Sequence, residues 1–133
     1  MTDLRKVFAE QFKEMNKAAQ ANVKEADNAV TGITAEVERC LTKYENLQSE
    51  ANQAQAKFGE SAKTVRRMGR MQEGPSVEAV EQAEIPLEQY KCAKSQLPDA
   101  EKALEDAECR LEKAKMDLSR ATADANAIKY FVS

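Results

Sequence analysis

Cys92 to Leu104 reads CAKSQLPDAEKAL, and the number of helices in the fold turns on its proline. Proline lacks a backbone donor and its ring clashes with the carbonyl four residues back, so inside a helix it marks a kink or a new start. Asp99 and Glu101 suit the first turn of a new helix with Pro98 at its first position. The apolar phase, however, passes through Leu97 and Ala100 undisturbed, which equally fits one bent helix.

Outward from that stretch, Val80, Ala83, Leu87, Tyr90, Ala93, Leu97, Ala100, Leu104, Ala107, Leu111, Ala114, Leu118, Ala121, Ala125, Ile128 and Val132 follow steps of three and four. Such spacing is a coiled-coil seam. Pro86 is a second proline within it.

An earlier seam is stricter still, at Ala26, Val30, Ile33, Val37, Cys40, Tyr44, Leu47, Ala51, Ala54 and Phe58. It continues loosely upstream through Leu4, Phe8, Phe12, Met15, Ala19 and Val23, and downstream through Ala62, Val65 and Met68. The first helical region therefore spans Thr2 to about Met71. Its weak point is Thr31-Gly32-Ile33-Thr34, where a glycine alone lowers helix stability by about 1 kcal/mol; a break there would make Thr31 or Thr34 an N-cap. Gly59 and Gly69 are lesser candidates.

Glu73-Gly74-Pro75-Ser76 is the clearest boundary: a glycine to end one helix, a proline that cannot continue it, and a serine able to cap the next. The chain should reverse direction at Gly74-Pro75. Four glycines, three prolines, 5% aromatic residues and no tryptophan, in a chain rich in Ala, Glu, Lys and Gln, make the fold class all-α. At 133 residues the chain has the size of one domain. Because many of its apolar residues are alanines, slender helices zipped along narrow seams are expected rather than a thick core.

The residues argue against catalysis. Histidine is absent, removing the usual general base and metal ligand, so no catalytic residue, metal site or cofactor is expected. Glycines are isolated, without a phosphate-cradling loop. Carboxylate pairs such as Glu36 with Glu38, or Glu81 with Glu84, read as solvated surface. Twenty basic and 23 acidic residues are interspersed, which gives no case for nucleic acid or an anionic membrane. No apolar run reaches the length of a membrane span and no signal peptide is visible; with Cys40, Cys92 and Cys109 read as reduced thiols, the cytoplasm is the expected compartment.

The densest cations lie in Lys63-Thr64-Val65-Arg66-Arg67-Met68-Gly69-Arg70-Met71. At a helix C-terminus they complement its dipole; Arg66, Arg67 and Arg70 are also the best candidates for docking an acidic partner, with the methionines as adaptable contact surface.

Gly74, then Gln82-Ala83-Glu84-Ile85, then Leu97-Pro98-Asp99 ahead of an Ala/Glu-rich helix form an ordered set of landmarks. In that order they resemble the tubulin-binding cofactor A (tubulin-specific chaperone A) family. The resemblance implies an elongated three-helix antiparallel bundle over one domain, with residues 32–133 family-like and 1–31 an N-terminal helical extension. It further implies a chaperone that stabilises β-tubulin folding intermediates and hands them, with other tubulin-folding cofactors, towards heterodimer assembly. No cofactor or covalent step is implied; cytoskeletal association is. The alternative is a coiled-coil scaffold or oligomerisation protein without a tubulin role, because a seam does not say whether its partner lies in the same chain. Monomer and homodimer both remain open.

Overall fold

The computed structural model describes residues 4–132, with side chains described from Leu4 to Tyr130. Thr2, the expected helix start, lies outside them, as does the side chain of Val132. The described chain forms α1, Leu4–Gly69 with 66 residues, and α2, Val77–Val132 with 56 residues, and no strand. The all-α expectation holds. The three helices implied by the resemblance do not: two are present among the described residues, because neither suspected break interrupts its helix.

At Thr31-Gly32 the backbone stays helical. Neither threonine caps. Thr31 Oγ1 donates to the Asp27 carbonyl at 3.1 Å and Thr34 Oγ1 to the Val30 carbonyl at 2.7 Å, so both hydroxyls reach backwards into the preceding turn. Val30 and Ile33 are half-buried in the seam, and this burial offsets the glycine penalty. Gly59 also lies inside α1, whereas Gly69 is its last residue.

Pro86 and Pro98 both lie inside α2, so Pro98 starts no new helix. Its ring is exposed, as is Lys94, whose carbonyl loses its helical partner to the proline and can accept from water instead. Ala93 and Ala100, one on each side, are 4% and 6% exposed. Burial on both flanks outweighs a proline penalty of about 3 kcal/mol. Pro86 is buried although it stands off the seam.

The expected reversal is built as its residues require. Amides of Arg70 and Met71 donate to the carbonyls of Arg67 and Met68 at 3.2 and 3.0 Å, tightening the end of α1. Gly74 sits at φ 71°, the left-handed conformation that favours glycine, and its amide donates to the Met71 carbonyl at 3.1 Å. Ser76 Oγ accepts from the Ala79 amide at 3.1 Å, an N-cap for α2.

The chain divides into two compact units whose boundaries fall within the helices: Arg39–Glu105, and the residues up to Glu38 together with those from Asp106 onward. In Arg39–Glu105, Phe58, Ala62 and Val65 face Val80, Ala83 and Leu87, while Cys40 and Lys43 face Gln96, Ala100 and Ala103. The two helices therefore run antiparallel there. In the other unit Met15 to Asn22 face Asp117 to Ile128, and Glu36 pairs with Arg110, again antiparallel. That ion pair is more than a third exposed on both sides, so it adds less than about 1 kcal/mol.

Every seam position from Ala26 to Phe58 is buried or half-buried. The buried core side chains are small: Ala19, Ala51, Ala54, Ala83, Ala93, Ala100, Ala107, Ala114 and Ala125, with Leu47 the one large member among the described residues. The bulky seam residues of α2, Leu87, Tyr90, Leu97, Leu104, Leu111 and Leu118, are half-buried. Alanine lets two helix backbones approach closely, and a large side chain beside it is then turned towards the edge of the contact. Leu4, Phe8 and Met15, from the looser upstream pattern, are exposed at 69%, 56% and 50%. No helix among the described residues is long and apolar enough to cross a membrane.

Candidate functional site

Near the turn, within the unit Arg39–Glu105, Phe58, Ala62 and Val65 of α1 and Val80, Ala83 and Leu87 of α2 line an open groove of about 310 Å³. Its floor is apolar. Arg66 stands on the α1 side and Glu84 on the α2 side. Of the landmark and cation residues singled out in the sequence, the structure thus brings together Arg66, Ala83 and Glu84. Arg67 and Arg70 are exposed close by, Arg67 in the last turn of α1 and Arg70 just beyond it; with Arg66, Arg67 complements the dipole there.

The other landmarks go elsewhere. Gly74 forms the turn; Gln82 and Ile85 are exposed, Ile85 at 59%. Leu97 is half-buried in the seam, Pro98 is exposed, and Asp99 lines a separate cavity of about 220 Å³ with Cys40, Lys43 and Ala100. The landmarks therefore do not converge on one site. Cys40 is half-buried in its seam, while Cys92 and Cys109 are exposed thiols.

What the residue pattern concealed is on the other wall of the groove. From Ser61 to Gln72 the chain carries Lys63, Arg66, Arg67 and Arg70 and no acid; from Glu73 to Tyr90 it carries Glu73, Glu78, Glu81, Glu84 and Glu88 and no base. Lys63 and Arg66 lie three residues apart in the last turns of α1 with Arg70 following just past its end; Glu81, Glu84 and Glu88, three and then four residues apart, share one face of α2. All six are exposed, and among the described residues none is ion-paired. Glu81 and Glu84 are exposed, as expected of solvated surface, but that expectation takes them as a pair and leaves out the run they form with Glu88. The abrupt change of charge at the turn is the signal that reveals it.

Further along α2, Lys94 Nζ donates to Tyr90 Oη at 2.9 Å and lies 5.2 Å from the ring centroid. That hydrogen bond first, then the charge interaction with Tyr90, holds the Lys94 ammonium above its ordinary pKa. Lys94 is exposed and Tyr90 half-buried, one turn apart on α2 ahead of Pro98. Among the described residues no group of three His, Cys, Asp or Glu side chains is arranged to hold a metal ion.

Compared with protein-family models, curated proteins and solved structures, the chain matches none. The resemblance to tubulin-binding cofactor A thus stands on its landmark residues alone.

Proposed function

We propose that the chain is a helical association module, a coiled-coil scaffold or oligomerisation protein that works by presenting and joining helices. One observation carries this reading: the most buried positions are nearly all alanines, whereas Phe58, Leu87, Leu97 and Leu104 are only partly covered. A leucine left up to a third exposed leaves up to a third of its burial energy, at most about 1 kcal/mol, unrealised. Repeated along a seam, that deficit is recovered when further helices cover the exposed edges, as in a bundle assembled from more than one chain.

Sedimentation equilibrium over a concentration series tests this. The weight-average mass should rise above that of one chain as concentration increases; a single-chain mass throughout overturns the reading.

The landmark order, with exposed Arg66, Arg67 and Arg70, favours a second reading, a cytoplasmic tubulin-folding cofactor. On it the chain would hold β-tubulin folding intermediates, in company with other tubulin-folding cofactors, and the arginines would meet an acidic client. The three-helix packing that the resemblance implies would then be completed by a helix of another chain. Capture of β-tubulin released from chaperonin is its test, and absence of a complex removes it.

A further inference from the structure

Resting on the reading of the chain as an association module, we infer that the groove near the turn is a twofold interface for a second copy of this chain. Its floor is apolar, Arg66 and Glu84 stand on its two sides, and each belongs to an exposed run of like charge: Lys63, Arg66 and Arg70 at and just past the end of α1, Glu81, Glu84 and Glu88 on α2. In one copy each strip holds like charges three or four residues apart with no counter-charge paired to them, which is a mildly repulsive arrangement.

A second copy removes both repulsions together. A twofold axis parallel to the helices lays α1 of one protomer along α2 of its partner with both turns at the same end, so Lys63 and Arg66 come level with Glu84 and Glu81 of the partner, and the contact is self-complementary. An axis across the helices would instead set α1 on α1 and place arginine against arginine. Charge therefore selects the first arrangement. It also selects the occupant: a uniformly acidic partner is attracted by the arginines but repelled by the glutamates beside them, and a basic partner suffers the converse. A surface carrying both signs at this spacing is what this chain itself offers.

The test is a charge-reversal pair, K63E/R66E/R70E and E81K/E84K/E88K, studied by sedimentation with far-UV circular dichroism as a check on helix content. The wild type should form a dimer that weakens with added salt. Each triple variant alone should associate about a hundredfold more weakly, since like charges then face each other across the interface. An equimolar mixture of the two should restore a heterodimer at wild-type strength. A single chain carrying all six reversals should dimerise as the wild type does, which keeps the test decisive if either triple variant folds poorly.

A wild type that associates equally well with and without the reversals, or triple variants whose mixture stays apart, overturns the interface and leaves the association module standing. A wild type that remains a monomer overturns both. Binding of poly-glutamate by a monomeric wild type, lost in K63E/R66E/R70E, would assign the basic strip to a foreign acidic partner and likewise overturn the inference.

Discussion

Gly74-Pro75 and Leu97-Pro98 belong to the same compact unit, and each places a helix-breaking proline in the path of an apolar series. Around Pro75 the series fails: Met71 and Val77 are 59% and 74% exposed, so no burial holds a helix together across the gap. Gly74 then takes its left-handed conformation and Ser76 caps α2. Around Pro98 the series persists, with Ala93 and Ala100 buried and Leu97 and Leu104 half-buried, and the helix runs through. What separates them is the burial available on both flanks, because most helix stability in a protein comes from a packed face.

The largest effect should come from removing that burial. Ala100→Asp puts a charge and extra volume into a position 6% exposed and should destabilise by about 3 to 5 kcal/mol. Val77→Asp, its counterpart beyond Pro75, should stay within about 0.5 kcal/mol of the wild type. Urea denaturation tracked by circular dichroism measures both; equal losses would mean that flank burial does not distinguish the two prolines.

Next comes Pro98→Ala. The ring is exposed, so no packing is lost, and the new amide can bond to the Lys94 carbonyl. From the penalty of about 3 kcal/mol for an interior proline, less about 1 kcal/mol for the looser unfolded chain, a net gain of about 2 kcal/mol is expected. A lower melting temperature would indicate that α2 needs its proline.

Gly74→Ala probes the opposite case. Nothing lies within 4 Å of where the methyl would go, so space is not the obstacle; the obstacle is φ 71°. A loss of about 1 kcal/mol is expected, read from the midpoint of thermal unfolding.

These contrasts indicate how much the residues alone could disclose. The seam from Ala26 to Phe58 is legible because its spacing permits one face only, and each position is indeed buried or half-buried. The turn is legible because Gly74, Pro75 and Ser76 each demand a local conformation. The helix count is not, since Asp99 and Glu101 after Pro98 satisfy a helix start and an uninterrupted helix equally well, and only long-range burial decides. Long-range geometry also hides the pairing of Glu36 with Arg110 and the burial of Pro86 off the seam. Of the groove, Arg66 is visible as part of a cation cluster. Glu84 is not, because nothing in the residues alone sets it across an apolar groove from Arg66.

The smallest expected effect lies at the other suspected break. Gly32 sits inside α1, and nothing lies within 4 Å of the place an alanine methyl would take, so Gly32→Ala meets no clash. Helix propensity favours alanine by about 1 kcal/mol, and the unfolded chain loses freedom when glycine is replaced. Thr31 and Thr34 already bond back to Asp27 and Val30 and need no rearrangement to accept the change. The variant should therefore gain about 0.5 to 1 kcal/mol, with slower amide hydrogen exchange concentrated between about residues 28 and 36. If burial of Val30 and Ile33 is what carries α1 across this point, the gain should persist when Thr31→Ala is added. A gain that vanishes in the double variant would assign the continuity of α1 to the threonine hydrogen bonds, and a loss of stability in Gly32→Ala itself would mean that α1 uses the flexibility of glycine at this position.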